Sequence, residues 1–166
     1  MTERRRGMVF ADAIRELGLV NPIGVEVGVN RGWVSETLLR EVPDLTLILC
    51  DPWAEGGYFD WRPGVWPRAY KEAMVRTEFA WQRRIIFPGT SEQLASMLRW
   101  SVVDFAIIDA ARTVDEHNQY LQYWWPKVRY WMAGRYRHPN VMQAVDEFKA
   151  AEPVIRGKTW WLHKPR

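Results

Sequence analysis

The chain has 166 residues, 48% of them hydrophobic and 26% charged, with a formal net charge of +3 and a sequence pI near 9.2. That length and balance fit one soluble domain with a substantial core, and they exclude a disordered, collagenous or disulfide-stapled chain. A single cysteine, Cys50, rules out an internal disulfide and a cysteine-cluster metal site. No apolar run approaches the ~18 residues of a membrane span, and Arg4-Arg5-Arg6 is followed by Asp12, Arg15 and Glu16 rather than by a signal-peptide core, so a cytoplasmic protein is expected.

In chain order, Val9, Phe10, Ala13, Ile14 and Leu17 lie at helical spacing and Gly18 follows as a stop, so a helix precedes the first strand. The excess positive charge gathers in Arg4-Arg5-Arg6 and in Lys164 and Arg166, and reads as solvated ends. Ile23, Val25 and Val27 flank Glu26 in what the pattern predicts to be a short strand of a covered parallel sheet. Gly28 and Gly32 then let the backbone turn sharply and approach a ligand without a Cβ in the way. Val34, Leu38 and Val42 recur at i, i+4 and i+8 on a helix that Pro43-Asp44 stops. Residues 45–50 form a second strand, in which Cys50 reads as a small buried hydrophobe. It ends in Asp51, an acid placed, at the carboxyl end of the second strand of a βαβ unit, to accept a ribose.

Beyond Trp53 the sequence is irregular to Pro67, with turn signals at Gly56-Gly57 and Pro63-Gly64 and an aromatic load of Tyr58, Phe59, Trp61 and Trp66. With Trp53 these rings have two readings, a lid over a ligand cleft or a loop folded on its own aromatics. A helix follows with Tyr70, Ala73, Met74, Thr77 and Trp81 on one face, then a third strand at 84–87 ended by Pro88-Gly89. Thr90-x-x-Gln93 is a capping box opening a helix with Leu94, Met97 and Leu98 as its apolar side. A fourth strand ends in Asp109, and Thr113-x-x-Glu116 caps a helix that runs to Trp125 before Pro126 and carries Trp124 and Trp125 in its core stripe. Residues 130–133 form a short fifth strand, Val141, Ala144, Val145 and Phe148 a helical stripe, and 153–155 with 159–162 two strands joined at Arg156-Gly157-Lys158. The fold class expected is α/β and Rossmann-like: a mostly parallel seven-stranded sheet with an antiparallel strand near the C-terminus, helices on both faces and a cleft at the carboxyl ends of the strands.

The glycine loop decides which nucleoside fits. A dinucleotide fingerprint requires G-x-G-x-x-G, whereas this loop is E-x-G-x-x-x-G, with Asn30 in the middle glycine's place. The pattern resembles motif I of the class I S-adenosylmethionine-dependent methyltransferases. The resemblance narrows to a group of small bacterial and phage methyltransferases with V-E-I-G-V-x-x-G-x-x-S, D-P-W and D-G-x-H motifs. It rests on Gly24 through Ser35, on Asp51-Pro52-Trp53, on residues 103–109 and 121–128, on 138–148 and on Trp160-Trp161, so it spans about residue 20 to the C-terminus.

By this resemblance S-adenosyl-L-methionine is the cofactor, held by Glu26, Gly28, Asn30, Gly32, Asp51, Pro52, Trp53, Gly89, Thr90, Ser91 and Asp109. Gly28 is the close-approach glycine, Glu26 organises the methionine amino group, and Asp51 takes the ribose hydroxyls. Gly89, Thr90 and Ser91 line the adenine, with a pure N-cap as the other reading of Thr90.

The chain departs from the family in its catalytic half. D-G-x-H is here Asp109-Ala-Ala-Arg112, and G-H-D-Y is Gly134-Arg-Tyr-Arg137, with the preceding P-G-G turn shortened to Tyr130-Trp131. Exchanging histidines for Arg112 and Arg135 repels a cation and favours an anion, so no metal is expected and the acceptor is read as a small molecule with an anionic part. Asp109, Arg112 and His138 are the catalytic candidates, His138 also reading as the residue that merely precedes the last helix; His117 reads as a packed helix residue. Two further readings stay open. One is a degenerate methyltransferase that binds cofactor without transfer; the other is a nucleic-acid methyltransferase, which draws on the basic pI but lacks an N-P-P-[YF] signature. No specific nucleic acid and no membrane partner are expected, and nothing in the sequence sets an oligomeric state.

Overall fold

A computed structural model describes residues 1–53, 65–98, 103–110, 113–136 and 138–165. Their helices are α1 (Glu3–Glu16), α2 (Trp33–Glu41), α3 (Val65–Arg76), α4 (Ser91–Met97), α5 (Val114–Trp124) and α6 (Pro139–Glu147). Their strands are β1 (Ile23–Val27), β2 (Thr46–Cys50), β3 (Arg84–Phe87), β4 (Val103–Ile108), β5 (Val128–Arg135), β6 (Val154–Arg156) and β7 (Thr159–His163). They form one sheet in the order β3-β2-β1-β4-β5-β7-β6. β7 runs antiparallel to both its neighbours, and every other pairing is parallel. This is the expected α/β architecture.

Alternation along the strands assigns the two faces. Leu47, Leu49, Phe105, Ile107, Trp131, Ala133 and Trp161 pack with α1, α2 and α3, while Ile48, Cys50, Ala106, Ile108, Met132, Trp160 and Leu162 pack with α4, α5 and α6. Burial also pushes the Cys50 thiol up to about 12, so it is an inert core group, as expected. The chain winds outward from β1 to β3, then returns to β4 on the other side of β1. The sheet therefore has its switch point between β1 and β4, and a crevice opens at their carboxyl ends.

Several details differ from the sequence reading. The helix expected to run through Trp81 ends at Arg76, because the Thr77 hydroxyl donates back to the Ala73 carbonyl and a turn of 3₁₀ helix follows at Glu78–Ala80; Trp81 is 67% exposed. Met97, assigned to an apolar face, is 69% exposed. Tyr130 and Trp131 are not a shortened turn but lie within β5, which is twice the expected length. Pairing with β4 explains it: Val103 faces Val128 while Phe105 faces Trp131, so β5 carries one extra residue there. Among the described residues no helix is long and apolar enough to cross a membrane.

Candidate functional site

The crevice at the switch point is an open cleft with a cavity volume of about 140 Å³. Its floor is made by the ends of β1 and β4. Gly28 follows β1 with φ +90°, and a Cβ there would stand 2.8 Å from the Asp109 carbonyl oxygen. Only glycine satisfies both the dihedral and the contact. Glu26, at the same end of β1, is 1% exposed, and its one described side-chain partner is the Ser35 hydroxyl, which donates to Oε2 from α2. Burial pushes this carboxyl up to about 8, against the lowering effect of that bond, and the nearby Asp109 raises it further.

Beside the floor, Asp51 ties two loops together. Its Oδ2 accepts from the Asn30 amide at 2.8 Å and its Oδ1 from the Trp53 amide at 2.9 Å, and the Trp53 indole N–H donates to the Asn30 carbonyl at 2.9 Å. Asn30 and Trp53 both have positive φ, 51° and 39°, which non-glycine residues adopt only when their surroundings fix it. Burial raises the Asp51 carboxyl above its ordinary value, and these amide bonds oppose the shift. Asn30 Oδ1 is buried without a hydrogen-bond partner among the described residues.

The opposite wall corrects the reading of the basic triplet. Arg4 and Arg5 are exposed, but Arg6 is 3% exposed on α1, and its Nη2 bonds Asp109 Oδ2 at 2.5 Å. Arg6 was missed, although it continues the stripe of Phe10, Ile14 and Leu17 one turn toward the N-terminus and could have been found there. Burial raises the Asp109 carboxyl, while Arg6, then Arg135 and His138, lower it. His138 holds the N-cap position of α6 without a side-chain cap bond and also lines the cleft, so the two readings of it coincide in space.

His117 lines the same cleft from α5. It is a packed helix residue, 1% exposed, but both ring nitrogens lack hydrogen-bond partners among the described residues. Its ring meets Trp160 edge-on at 5.5 Å, and burial lowers its pKa to about 4, so it is neutral.

Of the expected site residues, the fold thus brings Glu26, Gly28, Asn30, Asp109 and His138 into one cleft with Arg135. Gly32, the N-cap of α2, and Asp51, Pro52 and Trp53 lie beside it on the β1 and β2 loops. Gly89, Thr90 and Ser91 follow β3, one strand further out and outside the cleft lining. Thr90 forms the full capping box with Gln93, and the Ser91 hydroxyl accepts from the Trp124 indole at 2.8 Å. Arg112, Arg137, the expected turns at Gly56-Gly57 and Pro63-Gly64, and Tyr58, Phe59, Trp61 and the Trp66 side chain lie outside the described residues. Among the described residues no three His, Cys, Asp or Glu side chains converge as a metal site.

No family model matches the chain, and no curated protein matches it in sequence. Solved structures do match. The O-methyltransferase TomG from Streptomyces achromogenes, in complex with SAM, has 14% identity, a TM-score of 0.68, and coverage of 97% of this chain and 80% of its own. A candidate caffeoyl-CoA O-methyltransferase from Staphylococcus aureus has 13% identity, a TM-score of 0.67, and coverage of 99% and 85%. Cofactor-bound Rv0187 from MTB has 14% identity, a TM-score of 0.66, and coverage of 96% and 78%. At this identity the likeness is one of architecture: the chain has the Rossmann-like fold of the class I methyltransferases.

Proposed function

We propose that the chain is an S-adenosyl-L-methionine-dependent methyltransferase acting on a small-molecule acceptor without a divalent metal. The observation that carries the reading is the conjunction at the carboxyl ends of β1 and β2: a glycine floor at Gly28, a buried carboxyl at Glu26 with a single described donor, and Asp51 anchored by two amides. These residues fit the cofactor chemically. A ligand ammonium would add to Arg6 as countercharge for Glu26, and the carboxylate of Asp51 can accept from ribose hydroxyls. Gly32, Pro52 and Trp53 shape the same loops, and Gly89, Thr90 and Ser91, which follow β3, are the residues proposed to line the adenine.

When bound, the cofactor supplies an electrophilic methyl group. The chain's contribution is to orient two reactants, exclude water and present charge. Asp109, His138 and Arg112 are the residues proposed for the acceptor side. The donor set supports metal independence: Asp109 is engaged by a guanidinium, and Arg135 adds positive charge to the same wall. A resident divalent cation is disfavoured there.

A second reading has its own observation. The Arg6–Asp109 pair occupies the acceptor side, as a binding protein that has lost transfer would show. Calorimetry with S-adenosyl-L-methionine tests the binding step; micromolar affinity is expected, and no heat of binding refutes both readings. Turnover with chelator present, assayed by release of S-adenosylhomocysteine over a panel of small acids, separates the two.

A further inference from the structure

A second, smaller pocket adjoins the cleft through two shared walls, Arg6 and Arg135, and is completed by Met1 and Lys158. Among the described residues its charged side chains are all cationic. Arg135 is the last residue of β5 and Lys158 sits in the turn between β6 and β7; the two are brought together because the Tyr136 amide donates to the Lys158 carbonyl at 2.9 Å. Neither makes an ion pair with an acid among the described residues. The third cation, Arg6, is 3% exposed and spends Nη2 on Asp109, while its Nε is buried without a hydrogen-bond partner among the described residues. A buried guanidinium N–H left open costs free energy, and three cations around one recess repel each other. An oxyanion in the recess relieves that repulsion.

We propose that Arg6, Arg135 and Lys158 form an oxyanion subsite next to the cleft, which holds a carboxylate or phosphate group of the acceptor while the rest of that molecule reaches into the cleft. The proposal rests on the methyltransferase reading for the word acceptor and on the pocket alone for the oxyanion. Guanidinium donors bind such groups directionally, and the wall that Arg6 and Arg135 share with the cleft sets the acceptor's direction. The space is small, about 20 Å³, and admits a terminal acidic group at its mouth rather than a polyanionic chain. This separates the site from a nucleic-acid track, which follows a backbone across many phosphates.

The experiment titrates the full chain with inorganic phosphate and with acetate, followed by amide NMR shifts, for the wild type and for Arg135→Gln, Lys158→Gln and Arg4→Gln. Arg4 is exposed and outside this pocket, so it controls for net charge. Saturable millimolar binding is expected, weakened roughly fivefold or more by Arg135→Gln and less by Lys158→Gln, with Arg4→Gln unchanged. Non-saturating shifts, or equal weakening by Arg4→Gln, overturn the subsite. Calorimetry with S-adenosyl-L-methionine on the same samples keeps the two claims apart: cofactor binding without selective phosphate or acetate binding removes the subsite alone, and the reverse removes the methyltransferase reading while the oxyanion site stands. In turnover, Arg135→Gln is expected to raise KM for an acidic acceptor at least fivefold and to leave that for its methyl ester unchanged; equal effects on both overturn the assignment.

Discussion

Arg6 Nη2 stands 2.5 Å from Asp109 Oδ2, with 4% and 19% of the two side chains exposed, so the first turns of α1 are ion-paired to the residue that ends β4. Removing one partner of such a pair strands a charge in a poorly solvated place. Arg6→Met is expected to destabilise the fold by about 3 kcal/mol, and Asp109→Asn in the same chain to recover more than half of that loss. Urea unfolding of the two single variants and the double variant decides it. Additive losses would mean that the pair is not coupled.

Glu26 ties ligand binding to protons. With its pKa pushed up to about 8 it is mostly neutral at pH 7, and a ligand ammonium beside it would favour the ionised form. Binding of S-adenosyl-L-methionine at pH 7 is therefore expected to release about one proton, with affinity rising as pH approaches 8. Calorimetry in two buffers of different ionisation enthalpy measures this. Equal heats in both would show that Glu26 does not change charge, and Glu26→Gln should abolish the difference.

Asp51 should matter for the protein and the ligand separately. Asp51→Ala removes the acceptor for both the Asn30 and Trp53 amides, and these bonds hold two left-handed residues in place. A loss of about 2–4 kcal/mol in stability is expected. Asp51→Asn keeps one carbonyl acceptor and turns an NH2 toward the other amide, so it should lose about half as much stability, about 1–2 kcal/mol, while weakening cofactor affinity at least tenfold, by about 1.4 kcal/mol or more. If Asp51→Asn binds as tightly as the wild type, the carboxylate has no ligand role.

His117 and Glu26 give stability opposite slopes with pH. The histidine's folded pKa of about 4 lies below its ordinary 6.5, so its contribution is present above pH 6.5 and is lost as pH falls toward 4. The loss amounts to about 3 kcal/mol at most. Glu26 is raised from 4.5 to about 8, so its contribution is present below pH 4.5 and is lost as pH rises through 8. His117→Leu should thus gain on the wild type as the medium is acidified from pH 6.5 to 4. Parallel stability curves for the two proteins over that range would place the imidazole's charge change elsewhere.

The parts of this molecule that a linear pattern encodes were legible. Short β-branched and apolar runs, ended by an acid or a turn signal, marked the inner strands, and two capping boxes, Thr90 with Gln93 and Thr113 with Glu116, marked helix starts that the structure reproduces with both reciprocal bonds. Glu26, Gly28 and Asp109 met in one cleft because strand ends at a switch point must meet. What escaped depended on partners distant in sequence. Arg6 looked like a solvated end because its acid lies 103 residues away. His117 looked like ordinary packing because only the assembled cleft reveals that its nitrogens have no partner. Trp81 was given to a helix because a threonine hydroxyl's return to its own helix is invisible to periodicity.

The extra residue in β5 sets the phase of everything that follows it. Because Phe105 pairs with Trp131, Ile108 pairs with Gly134, where a Cβ would lie 2.3 Å from the Ile108 carbonyl oxygen, and Arg135 is delivered to the rim. Deleting a single residue from the irregular stretch between Val128 and Trp131 would turn the strand over by one step. Gly134 would lose its place against Ile108, Arg135 would exchange faces with its neighbour, and a cation shared by two recesses would point into the packing of α5 and α6. The chemistry of the rim is in this sense written as a count of residues several positions upstream, and a length change there would alter specificity without touching any residue that meets a ligand.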